Sequence, residues 1–98
     1  ELKLESINLL KYKTGNFYKK HTDSFHQENR QLSFIINLNE DYKGGELIFY
    51  YPNNRQFAYS KVQLKTGDLV MFPNNFFYPH SVEPILSGTR YSIVCWFS

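Results

Sequence analysis

The residues of this chain best suited to chemistry are His21 and Asp23, within Lys20-His21-Thr22-Asp23-Ser24, and His80 much further on. An imidazole and a carboxylate separated by one residue point to the same face of an extended strand, because successive side chains alternate. Joined by a second imidazole, they form the two-His-one-carboxylate set that holds a non-haem Fe(II) ion and leaves coordination positions open. The triplet alone carries little weight. Three His and nine acidic residues make a chance His-x-acid spacing common in a chain of 98 residues.

An iron centre of this kind commonly works with an acidic co-substrate, whose far carboxylate needs a basic anchor. Arg90 lies beyond His80 and the Ser87-Gly88 turn signal, at the start of the final apolar stretch. Its planar guanidinium meets a carboxylate through two parallel hydrogen bonds and stays charged at any working pH. If Arg90 faces inward, so do Ser92, Val94 and Trp96, by the strand period of two. Ser92 then adds a hydroxyl to the same carboxylate and Trp96 an apolar wall.

These groups need rigid strands to hold them, and the pattern supplies strands throughout. Leu4 to Lys13 reads as a strand at its end, with a helix conceivable at the very start, and Thr14-Gly15-Asn16 is a turn signal. Phe17 to Asp23 reads as a short strand or extended loop, and Ser24 to Asn29 as a polar turn. Arg30 to Asn39 is the clearest strand, with Leu32, Phe34, Ile36 and Leu38 on one face and Ser33, Ile35 and Asn37 on the other. A buried Asn37 must find hydrogen bonds. Residues Asn39 to Gly45 read as a turn. Glu46 to Tyr51 is a strand stopped by Pro52-Asn53-Asn54, with Phe57 to Leu64 as its hairpin partner. Thr66-Gly67-Asp68 turns into the strand Leu69 to Phe72, with Asp68 as turn chemistry, not a metal ligand. His80 to Ile85 is a short strand between Pro79 and Pro84, and Thr89 to Phe97 the last one. Seven or eight short strands without a convincing helix predict an all-β fold of two facing antiparallel sheets, a sandwich or jelly roll.

Composition sets the limits. Ninety-eight residues make one domain with a modest core, burying about 60–65% of the unfolded surface. The 42% hydrophobic and 20% charged fractions are those of a globular chain, and nine Phe with eight Tyr favour strands. A net charge of +2 is too small to argue for nucleic acid, so no nucleic-acid partner is expected, and the cluster Lys11, Lys13, Lys19 and Lys20 reads as a solvated strand face. No apolar run is long enough to span a bilayer as a helix. The start, Glu1-Leu2-Lys3-Leu4-Glu5, lacks a signal peptide's apolar core, and the single Cys95 permits no internal disulfide, so a cytoplasmic location is the expectation. Patterned sequence from the first residues suggests a core domain, 1–98, without N-terminal flanking elements.

Five stretches together resemble a known family. Tyr12-x-x-Gly15-x-x-Tyr18-x-x-His21-x-Asp23, Arg30-x-Leu32-Ser33, Leu38-Asn39-x-x-Tyr42-x-Gly44-Gly45-Glu46-Leu47, Gly67-Asp68-x-Val70-x-Phe72-Pro73 and His80-x-Val82-x-Pro84-x-x-x-Gly88-Thr89-Arg90 are similar to the prolyl 4-hydroxylase group of Fe(II)/2-oxoglutarate dioxygenases. Each piece is weak, and their order and spacing carry the match. The resemblance implies a double-stranded β-helix, with Fe(II) bound by His21, Asp23 and His80 and 2-oxoglutarate chelating the metal. It implies that Arg90 pairs with the co-substrate's other carboxylate and that Tyr12 lines its pocket, and it admits ascorbate as an auxiliary. Asn37 stands where some relatives carry a Tyr that bonds the distal carboxylate, and an Asn amide could donate there instead. The implied reaction couples O2 and 2-oxoglutarate decarboxylation to hydroxylation of an unactivated C–H in a peptide, protein or small molecule, with a peptidyl proline first in line. Neutral imidazoles are needed as ligands, so acid should release the metal.

Two other readings compete. A nucleobase demethylase uses the same metal set but usually carries a second Arg in the last strand, where this chain has Trp96. A jelly-roll binding module would keep the fold without turnover. His26 matches no ligand position and reads as a loop residue. Asn74-Asn75-Phe76-Phe77-Tyr78 sets three aromatics beside His80 without naming a substrate.

Overall fold

The computed structural model describes residues 2–21, 31–53, 56–73 and 79–98, and at 20, 21, 51–53 and 56–59 it describes the backbone alone. Nine strands run through these residues: β1 Leu4–Lys13, β2 Tyr18–His21, β3 Leu32–Asn37, β4 Tyr42–Gly44, β5 Leu47–Asn53, β6 Gln56–Val62, β7 Leu69–Pro73, β8 His80–Val82 and β9 Ile85–Phe97. One antiparallel sheet has the order β1-β9-β3-β7, with β4 laid on the early part of β9, and the other has the order β2-β8-β5-β6. They close on a common core of Tyr12, Ile35, Leu47, Leu64, Phe72, Val82, Ile85 and Val94. This is the expected all-β jelly roll.

Alternation along the strands decides which side chains enter that core. In β3 the buried set is Ser33, Ile35 and Asn37, while Leu32, Phe34 and Ile36 are half-buried on the other face. The polar-bearing face of this strand therefore looks inward. Its outward apolar residues continue into two rows across the sheet. Ile7, Cys95, Phe34 and Met71 stand in register in one row, and Leu9, Ile93, Ile36 and Leu69 in the next. Ile7 is 63% and Leu9 69% exposed, so this outer face is apolar and open among the described residues.

Four expectations change. The start of the chain is strand throughout, because Ser6, Asn8, Leu10 and Tyr12 turn inward along β9. The region expected as a turn before Glu46 holds β4, which pairs with β9 from Gly88 to Ile85. The Ser87-Gly88 signal is not a turn, since β9 runs straight through it. Gly88 has φ +80°, and a Cβ there would stand 2.6 Å from the Asp41 carbonyl oxygen. Glycine at this point lets β4 approach the β9 backbone, a use of in-strand glycine that composition cannot tell from a turn. Pro52 also fails to stop its strand. It stands opposite Phe57 in the β5–β6 hairpin, and its nitrogen faces the same edge as the Tyr50 N–H, which bonds the Pro79 carbonyl, so the missing N–H takes no bond from the β5–β6 ladder.

Candidate active site

The register of three strands builds one wall of the site. Tyr12 on β1 stands opposite Arg90 on β9, Leu10 opposite Ser92, and Asn37 on β3 opposite Ser92 from the other side. The period of two holds as expected: Arg90, Ser92 and Val94 are buried and Trp96 half-buried on the inner face of β9. These four, with Leu10, Tyr12, Tyr18, Ile35, His80 and Val82, line a cavity of about 100 Å³ between the sheets.

The opposite wall carries His80, one of the three metal-ligand candidates. His80 is 3% exposed, with its ring edge-on to Phe72 at 4.8 Å and tilted against Phe49 at 5.7 Å. β2 lies antiparallel on β8, and its register sets position 21 opposite position 80. Directly opposite positions of an antiparallel pair share a face. The fold thus brings together the two positions where sequence expects imidazole ligands. Asp23 lies outside the described residues, as do the His21 side chain, His26 and the aromatics at 76–78. Among the side chains described, no three metal-ligating groups cluster.

Electrostatics defines what the cavity wants. Arg90 is 2% exposed, its Nε–H donates to Asn37 Oδ1 at 3.3 Å, and its guanidinium carbon lies 5.4 Å from the Tyr12 ring centre. Among the described residues no carboxylate pairs with it. A buried cation costs several kcal/mol unless an anion meets it. Beside it the fully buried Ser92 Oγ has no hydrogen-bond partner among the described residues, which costs about 1–3 kcal/mol for a desolvated hydroxyl. Burial pushes the Tyr12 phenol above its ordinary pKa, with Tyr18 adding to the rise and Arg90 opposing it, so Tyr12 remains a neutral donor. An uncompensated cation, an orphaned hydroxyl and a phenol on one small cavity fit the carboxylate of an acidic co-substrate. The donor types also suit the metal implied for His21, Asp23 and His80, since imidazole and carboxylate are the ligands of non-haem Fe(II).

Asn37 takes a different place from the one expected. It is fully buried but does not line the cavity, and it sits behind the guanidinium. Its Nδ2 donates to the carbonyls of Asn39 at 2.7 Å and Leu64 at 3.1 Å, and its Oδ1 accepts from Arg90 and, at 3.3 Å, from the Tyr42 hydroxyl. Tyr42, read from sequence as turn-shaping, therefore belongs to the support of the site. Tyr18 lines the cavity and was not singled out as a site residue, although it stands in the same tyrosine-glycine-tyrosine spacing as Tyr12. Asp68 is turn chemistry as expected: its Oδ2 accepts from the Lys65 N–H at 2.8 Å.

The chain belongs to the 2OG-Fe(II) oxygenase superfamily, whose family model matches residues 7–98. Over 97 residues it is 36% identical to a PKHD-type hydroxylase of Prochlorococcus marinus (strain AS9601), covering 95% of this chain and 41% of that protein. The crystal structure of a Pseudomonas putida prolyl-4-hydroxylase superposes with a TM-score of 0.79 at 30% identity, over 96% of this chain and 53% of that one. A 2OG-Fe(II) oxygenase family oxidoreductase from Burkholderia pseudomallei gives a TM-score of 0.86 at 19% identity over 100% of this chain and 44% of that one, a likeness of fold. The chain thus spans less than half the length of the curated relative above.

Proposed function

We propose that this chain is the core of an Fe(II)- and 2-oxoglutarate-dependent dioxygenase of the prolyl 4-hydroxylase type, acting on a peptidyl proline. The observation that carries the proposal is Arg90, a buried cation without a carboxylate partner among the described residues, on a cavity shared with His80. The 30% identity to a solved prolyl-4-hydroxylase supports the choice of substrate class.

In this reading His21, Asp23 and His80 hold the iron, which when bound supplies O2 activation coupled to decarboxylation of 2-oxoglutarate. The reaction balances as R–H, O2 and 2-oxoglutarate giving R–OH, succinate and CO2. The protein's own groups bind and orient. Arg90 pairs with the distal carboxylate, Ser92 Oγ donates its hydrogen to an oxygen of that group, and the Tyr12 phenol adds a neutral donor. Burial of Arg90 and Ser92 keeps water from competing, which strengthens each charge-assisted hydrogen bond. Leu10, Ile35, Val82, Val94 and Trp96 supply the apolar remainder of the cavity.

Calorimetry with Mn(II) as a redox-inert metal tests the co-substrate site. Arg90→Ala weakens 2-oxoglutarate binding by about 2–4 kcal/mol, the loss of one partner of a buried charge pair. Unchanged affinity defeats the assignment. Turnover is read as succinate formation with Fe(II) and ascorbate present, and hydroxylation as the mass of one added oxygen on proline-containing peptides. Binding without succinate supports the non-catalytic jelly-roll module instead.

A further inference from the structure

Asn37 has a bonding pattern that no donor role toward a ligand explains. Both its amide hydrogens are spent on backbone carbonyls, those of Asn39 and Leu64. Its backbone is spent too, with N–H donating to the Asp68 carbonyl at 3.0 Å and C=O accepting from the Gly67 N–H at 2.7 Å. Only Oδ1 is left to act, and it receives Arg90 Nε–H and the Tyr42 hydroxyl. The amide cannot be reversed, because its oxygen would then face two carbonyl oxygens and its nitrogen the Arg90 Nε–H, which cannot accept.

We infer that Asn37 is a positioning residue that holds Arg90 by Nε, so that the guanidinium meets the co-substrate carboxylate end-on through its two terminal nitrogens. The inference rests on the 2-oxoglutarate reading above. An arginine grips a carboxylate either side-on, through Nε and one terminal nitrogen, or end-on through both terminal nitrogens. Asn37 occupies Nε and removes the first choice. The Tyr12 ring against the guanidinium orients its plane, and Tyr12 stands directly opposite Arg90 in the β1–β9 ladder. The fork is therefore oriented before a ligand arrives, and less rotamer entropy is lost on binding.

The residue type follows from the geometry. An aspartate would accept from Nε but would neutralise Arg90 and set negative charge against two carbonyl oxygens. A leucine would leave Nε–H and both carbonyls unsatisfied in a dry interior. A carboxamide alone among side chains of this size accepts from the cation, donates to the two carbonyls and brings no charge of its own.

Arginine-selective 15N labelling tests this directly, because the chain holds three arginines, Arg30, Arg55 and Arg90, and loss of one signal in Arg90→Lys assigns the third. In the wild type the Arg90 Nε–H exchanges slowly with solvent before any ligand is added. Addition of 2-oxoglutarate with Mn(II) perturbs the terminal-nitrogen signals and leaves the Nε signal in place. Asn37→Ser loses the exchange protection and raises the Kd for 2-oxoglutarate at least tenfold, while Mn(II) affinity stays within twofold. Wild-type protein that binds 2-oxoglutarate but has a fast-exchanging Nε–H, or an Asn37→Ser protein with undiminished affinity, overturns this inference alone. Wild-type protein that binds no 2-oxoglutarate overturns the dioxygenase reading and this inference with it. The wild-type exchange measurement needs no variant, so refutation does not depend on Asn37→Ser folding.

Discussion

Removing the Ser92 hydroxyl should move stability and ligand binding in opposite directions. Ser92 is fully buried, its Oγ is without a partner among the described residues, and it lines the cavity beside Arg90. Where neither water nor ligand meets it, such a buried hydroxyl costs about 1–3 kcal/mol. A water drawn into the cavity recovers part of that cost. Ser92→Ala then stabilises the free protein by about 0.5–1 kcal/mol, which for a chain of this size raises Tm by roughly 2–8 °C. With 2-oxoglutarate and Mn(II) bound, the same hydroxyl donates to a carboxylate, and a hydrogen bond to a charged group contributes about 1.5–3 kcal/mol. The variant should therefore bind 2-oxoglutarate roughly 10- to 150-fold more weakly, since each 1.4 kcal/mol is a factor of ten. Thermal melts across a 2-oxoglutarate series read both effects in one experiment: the variant starts above the wild type and is overtaken as ligand rises. A variant that melts below wild type without ligand and binds equally well would sink the reasoning, because Ser92 would then be a packed core residue with no claim on the co-substrate.

Three further outcomes follow from the same geometry. Gly88→Ala should lower stability by about 2–3 kcal/mol, from the left-handed φ of +80° and the 2.6 Å approach to the Asp41 carbonyl, and urea denaturation checks it. His80→Ala should abolish tight Mn(II) binding in calorimetry, while Arg90→Ala leaves metal affinity nearly intact and loses the co-substrate. Tyr12 sets an alkaline limit. Burial raises its folded pKa above the ordinary 10.0, so the folded state keeps its proton longer than the unfolded chain. That contribution is fully present below pH 10 and is lost as pH rises through the raised value. The urea midpoint should fall more steeply with pH above 10 in the wild type than in Tyr12→Phe, and equal slopes would show that this phenol is not the group responsible.

Much of the site can be read from residues because its chemistry sits on strands. Period-two alternation along β9 is enough to put Arg90, Ser92, Val94 and Trp96 on one face, and the structure finds them on the cavity. The Tyr12 position needs the spacing to Gly15 and His21 as well as the strand pattern. Asn37 shows where such reading stops. Its type was legible, but besides the nearby Asn39 carbonyl and Tyr42 its partners are the Leu64 carbonyl and Arg90, 27 and 53 residues away, which only folding brings to it. Local signals also failed at Gly88 and Pro52. Glycine and proline punctuate a chain the same way whether they end a strand, admit a neighbour or sit in a one-sided ladder.

The sequence by itself determined an all-β chain, and its ordered motifs set two imidazoles and a carboxylate at His21, His80 and Asp23 and a guanidinium at Arg90. Those are properties of residue type and spacing along a strand. Only the tertiary structure decided that position 21 would stand opposite position 80, and that among the described residues Arg90 would lie buried without a carboxylate while Ser92 kept an unpaired hydroxyl. Register between distant strands and the balance of buried charge depend on which segments pack together. No local pattern encodes that.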